Sequence, residues 1–157
     1  MEKKAWKVYA FWIGLSELVG TVSGLLSRGG MQRYDDFVIK PALTPPMWVF
    51  PVVWSILFAL MGISVARIWM AQDSPQRRKG INLFVTQLVV NFFWSLIFFN
   101  LQAFGAAFLW LVLLWILVLW MIFAFYKVDP VAAYLQIPYL IWLTFAGYLT
   151  AAVWMLN

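Results

Sequence analysis

From Phe104 to Tyr126 the chain carries no charged residue and is apolar almost throughout. A run of that length matches the roughly 20 residues an α-helix needs to cross the hydrocarbon of a bilayer. No core of a chain this size could bury such a helix on all sides, so lipid must be part of its solvent. The rest agrees: 65% of the 157 residues are hydrophobic and 11% are charged, against about a quarter charged in a soluble domain. In lipid every backbone polar group must be paired internally, and strands are absent from the pattern, so the spans are helices. The expected fold is an all-α integral membrane protein, a bundle of five transmembrane helices forming one domain over 1–157. The spans are expected at about 6–26, 46–70, 81–100, 104–126 and 130–156. Met1-Glu2-Lys3-Lys4 resembles the start of a signal peptide. No small-residue cleavage site follows, so a retained first helix is expected.

Two absences narrow the chemistry. The chain has no cysteine and no histidine. That removes thiolate and imidazole metal ligands, disulfides, and the commonest general base. No metal site and no required cofactor are expected. The surplus is aromatic, with 11 Trp, 14 Phe and 6 Tyr. The net charge of +5 reads as charge on the loops of one membrane face, not as a nucleic-acid site. With the N-terminus inside, the inner side holds Lys3, Lys4, Lys7, Arg67, Arg77, Arg78, Lys79 and Lys127. The outer side then holds Arg28, Arg33 and Lys40. This asymmetry predicts N-in and C-out, with the first loop outside.

The stretch from Lys40 to Trp54 gathers four of the seven prolines at the head of a long apolar run. Thr44 reads as a cap, with Pro45 and Pro46 in the first turn of the second span. Residues 26–44 read as the longest loop. Gly20 and Gly24 form a GxxxG in the first span, suited either to packing within the chain or to a dimer seam. Trp54, Phe58 and Met61 share a face of span two; Gln87, Asn91, Trp94 and Phe98 share a face of span three. The two amides are costly in lipid and must face the bundle interior, as interhelical glue or as the wall of a cavity. Ser74-Pro75 and Asp129-Pro130 read as helix starts, and Pro138 as a mid-membrane break in span five. If the faces converge, Trp54, Phe58, Asn91, Trp94, Trp142 and Ala146 enclose an aromatic box beneath the proline loop, fit for a large planar apolar ligand. Core packing and an interfacial belt are the other readings of these tryptophans, and the belt suits Trp48. Span four reads as scaffold and lipid contact. Glu17, alone in an apolar run, reads either as a bond to a neighbouring helix or as the proton site of a small exporter.

Lys40-Pro41 followed by Pro45-Pro46-Met47-Trp48-Val49-Phe50-Pro51-Val52-Val53-Trp54 resembles the signature of the tryptophan-rich sensory protein (TspO/MBR) family. That family includes bacterial TspO proteins and the mitochondrial translocator protein. Glu17-Leu18-Val19-Gly20, the set Gln87, Asn91, Trp94, Ser95, Phe98 and Phe99, and Pro138-Tyr139-Leu140-Ile141-Trp142 with Ala146 extend the resemblance along the chain. It implies a five-helix bundle of the bacterial cell membrane, often a homodimer, that binds porphyrins such as protoporphyrin IX and isoquinoline-type small molecules. It implies a ligand site drawn from Tyr34, Pro45, Trp54, Phe58, Asn91, Trp94, Trp142 and Ala146. It also implies a light-dependent breakdown of protoporphyrin IX resting on Trp54 and Trp142. Three readings therefore stand: a porphyrin-binding sensor, transporter or scavenger; a light-dependent porphyrin-degrading enzyme; and a proton-coupled exporter using Glu17. The chain departs from the family pattern at Leu43, at Thr150, and in the spacing of Tyr34 to the Lys-Pro pair. No Lys or Arg follows Tyr148, so weak or no cholesterol recognition is expected.

Overall fold

The computed structural model describes residues 2–157, with side chains from Lys4 onward. Five helical segments are long and apolar enough to cross a membrane: Lys4–Leu26, Val49–Met70, Pro75–Asn100, Phe104–Tyr126 and Pro130–Leu156. They are built from α1 (Glu2–Leu26), α3 (Val49–Met70), α4 (Pro75–Ser95), α5 (Phe104–Tyr126), and the pair α6 (Pro130–Leu135) and α7 (Ile137–Leu156). A short helix, α2 (Arg28–Phe37), lies between the first two spans.

The spans close into a ring. α1 packs on α3, α3 on α6, α6 and α7 on α5, α5 on α4, and α4 back on α1. Large apolar side chains such as Leu18, Leu109, Ile116 and Phe123 point outward and are exposed, the arrangement expected where lipid is the solvent. The closest approach is between α1 and α3. A Cβ built on Gly62 would strike the backbone of Ile13, and one built on Gly20 would strike the ring of Phe58. Gly20 of the GxxxG thus serves packing within the chain, whereas a Cβ on Gly24 would meet nothing within 4 Å. Polar ties fix the rest of the ring. The Ser23 hydroxyl donates to the Phe92 carbonyl (2.7 Å), the Ser64 hydroxyl to Ala132 (2.7 Å), and the Trp110 indole to Val90 (2.7 Å). Arg67 pairs with Asp129 at 2.7 Å.

Several expectations about element ends need correction. Residues 26–44 are not one loop, because α2 occupies most of them. Gly29 and Gly30 look like helix breakers, yet Gly30 is needed for docking: a Cβ there would strike the Phe99 carbonyl carbon at 2.5 Å. Gly30 and Tyr34, one turn apart, form the buried face. Span two begins at Val49. The Thr44 hydroxyl donates to the Pro41 carbonyl (2.7 Å) and does not cap that helix. Pro45 and Pro46 precede a single tight turn, with the Val49 N–H bonded to Pro46 at 3.0 Å. Span three begins at Pro75, six residues before the expected start, because the Ser74 hydroxyl accepts from the Arg77 N–H (3.1 Å) and Pro75 suits the first turn. Asp129 caps α6 in the expected way. Pro138 lies in the first turn of α7, just after a break at Gln136 that divides the fifth span, Pro130–Leu156, into two helices. The third span ends in a π-helical turn, Leu96–Asn100.

Candidate functional site

Inside the ring, α1, α3, α4 and α7 leave a cavity of about 380 Å³, within the range of small-molecule sites. α5 contributes nothing to its wall. From α3 come Phe50, Trp54 and Phe58, one helical turn apart on one face. From α4 come Asn91, Trp94 and Ser95, from the π-turn Phe99, and from α7 Trp142 and Ala146. α1 supplies Glu17, Thr21 and Gly24, again on one face. Met31 of α2 and Met47 of the proline loop complete the lining. Thr21, Leu25, Pro51 and Ser55 line the cavity and are also exposed, so it opens between α1 and α3.

The aromatic wall is built from crossed rings. Trp54 and Trp142 stand perpendicular, centroids 6.5 Å apart. Trp54 also meets Phe58 at 5.5 Å and Tyr139 at 6.1 Å, and Phe50 meets Trp142 at 6.0 Å. Trp94 stacks on Phe98 at 5.1 Å with 17° between planes. Edge-to-face and offset contacts of this kind hold aromatic side chains in fixed orientations. Among the described residues, the indole N–H groups of Trp94 and Trp142 have no hydrogen-bond partner.

The two amides of α4 divide their roles. Gln87 is fully buried, and its side-chain oxygen accepts from the Tyr139 hydroxyl at 2.7 Å. Asn91 donates its amide to the same hydroxyl at 2.6 Å and faces the cavity. Gln87 is therefore glue between α4 and α7, and Asn91 is both glue and wall. Removing the shared hydroxyl by Tyr139→Phe leaves two buried amides short of a partner, which costs about 1–3 kcal/mol per orphaned group. A fall in the thermal midpoint with retained helix content by circular dichroism is the expected result.

The roof is pinned from two sides. The Ile39 N–H donates to the Asn157 side chain (3.0 Å), whose amide donates back to the Ile39 carbonyl (2.8 Å). The Tyr148 hydroxyl donates to the Ala42 carbonyl (3.0 Å). Lys40 donates to the Asp35 carbonyl (2.8 Å) and lies over the Tyr34 ring. Leu43 adopts φ 71°, a left-handed conformation disfavoured for a side chain with a Cβ.

The six residues expected to form the box (Trp54, Phe58, Asn91, Trp94, Trp142 and Ala146) do surround one cavity. Tyr34 and Pro45 are not in its wall. Tyr34 is buried against Phe98 and Phe99, with centroids at 5.5 and 5.3 Å, and holds α2 on the π-turn. Burial, with Asp35 beside it, pushes its phenol up to about 12. The sequence reading missed the α1 wall and the two methionines. The i, i+4, i+7 spacing of Glu17, Thr21 and Gly24 was a usable signal for the former. Met31 carries none, because the helix that holds it was unrecognised.

A ring of five membrane-spanning helices, roofed by a proline-rich loop, defines a polytopic membrane protein with an internal aromatic cavity. The TspO/MBR family profile matches residues 12–155, and the chain belongs to that family. It is 36% identical to the protein CrtK of Rhodobacter capsulatus over 151 residues, covering 96% of this chain and 92% of that protein. It is 36% identical to the tryptophan-rich protein TspO of Chlorobaculum tepidum, covering 94% of each. It is 32% identical to the bovine translocator protein over 145 residues, covering 91% of this chain and 86% of that one.

Proposed function

We propose that the chain binds a planar tetrapyrrole of the protoporphyrin IX type in this cavity. The ligand contacts are Trp54, Phe58, Asn91, Trp94, Trp142 and Ala146, with Pro45 and Tyr34 supporting the roof from outside the wall. The observation that carries the reading is the crossed pair Trp54 and Trp142 in a wall that also holds Trp94, Phe50, Phe58 and Phe99, with Asn91 and Glu17 as its larger polar groups. Such a wall offers ring faces and edges to a flat apolar body. Among the described residues no Lys or Arg lines the cavity, and Glu17 does. A porphyrin is therefore expected to seat its apolar macrocycle in the cavity with its carboxylates turned away from Glu17. Binding needs no iron, because the chain has neither His nor Cys to ligate it. The roofed end faces outside, by the excess of Lys and Arg at the other end. Isoquinoline-type compounds compete for the same space, and the protein works as a homodimer.

A second reading is favoured by the same indole pair. A bound, illuminated porphyrin passes its excitation to dioxygen, and oxidative opening of the macrocycle follows beside two electron-rich indoles. Purified protein is mixed with protoporphyrin IX and its absorbance is followed in dark and light. A stable bound spectrum in the dark is expected from binding, and its bleaching in light from degradation. Trp54→Phe and Trp142→Phe are expected to slow bleaching about tenfold or more while weakening dark binding by less than about 1.5 kcal/mol. Unchanged bleaching in both variants removes the catalytic role and leaves binding standing.

A further inference from the structure

The outer face of α4 changes character along its length. Pro75, then the adjacent pair Arg78 and Lys79, then Asn82 and Thr86 are spaced three or four residues from one level to the next, so they share one stripe. Beyond them the stripe continues as Val89 and Phe93, both exposed. α5 runs beside it, with register fixed by the Trp110–Val90 hydrogen bond. It presents its own exposed stripe of Trp120, Ile116, Leu113 and Leu109. At the charged end the two stripes flank a groove of about 460 Å³ lined by Arg78, Lys79, Asn82, Thr86 and Trp120.

The charged groups here are not equally committed. Arg77 donates to the Trp69 carbonyl and lies over its ring. Arg78 pairs with Asp73 at 3.0 Å, and that pair is exposed on both sides. Lys79 forms no ion pair among the described residues; its ammonium lies 5.1 Å over the Trp120 ring. An aromatic face beside an available ammonium marks the level of the headgroups. From Asn82 to Phe93 the helix rises about 16 Å, close to half the hydrocarbon thickness.

We propose that this groove is a binding site for an anionic phospholipid. Lys79 and Arg78 hold the phosphate, Asn82 and the neighbouring Trp120 indole meet the ester region, and one acyl chain lies between the apolar stripes. Charge complementarity, and the order cation, amide, hydrocarbon along one face, match the order of groups in such a lipid. The site lies on the outside of the ring and is independent of the internal cavity.

The test is lipid retention by the full-length protein in native mass spectrometry, titrated with phosphatidylglycerol or phosphatidylcholine of identical chains. Phosphatidylglycerol is expected to bind at least about fivefold more tightly, and Arg78→Gln with Lys79→Gln to remove that preference while leaving phosphatidylcholine unchanged. Arg28→Gln, at the other end of the bundle, is expected to change nothing. Millimolar inorganic phosphate is expected not to displace the lipid. Equal binding of the two lipids overturns the site, as does an unaltered preference in the double variant. Displacement by free phosphate would make it an anion site and would overturn the lipid assignment.

Discussion

With a porphyrin in the cavity as proposed, Gly24→Phe is expected to weaken its binding strongly without unfolding the protein. Gly24 lines the cavity, and a Cβ there meets no atom within 4 Å. A phenyl group at this position therefore occupies ligand space and not packing space. The expected loss is about 100-fold in affinity, or ~2.7 kcal/mol, read as the midpoint of a dark titration with protoporphyrin IX. The thermal midpoint of the unliganded protein is expected to stay or to rise slightly, since an interior glycine in a helix is itself destabilising. Gly20, four residues earlier, separates the two effects. Its Cβ direction is blocked by Phe58, so Gly20→Phe injures the α1–α3 contact as well as the site. Full binding by a folded Gly24→Phe variant would place the ligand elsewhere.

Gly62→Leu is expected to separate α1 from α3. The two backbones meet where Gly62 faces Ile13, with no room for a Cβ. Here the obstacle is main chain, which cannot rotate away as a side-chain tip can. Overpacking of this kind costs about 1–3 kcal/mol for added methylenes and more when backbone must move. Bundles in lipid gain much of their association from close contact between small residues. The measurement is thermal unfolding in detergent, with loss of the monodisperse peak on size exclusion as a second sign. Gly14→Leu on the same pair of helices is the control, because a Cβ there meets nothing within 4 Å. It is expected to behave as the native protein.

The fold was legible because its cause is coarse. An uncharged run such as Phe104–Tyr126 has one stable conformation in lipid, and five such runs fill most of the chain. The cavity wall on α3, α4 and α7 was legible too, because aromatic and amide residues recur there at helical spacing. What escaped depends on tertiary contact. Gly29-Gly30 reads locally as a break, but α2 persists through it because Gly30 docks on the π-turn and Tyr34 is buried beside it. Thr44-Pro45-Pro46 reads as a cap and first turn, but the Thr44 hydroxyl is used within the loop. That loop is shaped by its ties to Tyr148 and Asn157, more than a hundred residues away. The tightest helix contact rests on Gly62, which no motif singled out. Glu17 stands out in the sequence as an isolated acid, and the structure puts it in the cavity wall beside Thr21 and Gly24.

A tetrapyrrole held in the aromatic cavity by stacking and shape, as proposed, needs no metal bond. The most direct measurement is a dark equilibrium titration of the purified protein, followed by quenching of tryptophan fluorescence, with metal-free protoporphyrin IX and with haem in parallel. Saturable quenching at one ligand per chain is predicted, with the metal-free ligand bound at least as tightly as haem. Absence of saturable quenching, or haem bound far more tightly than the metal-free porphyrin, would contradict it.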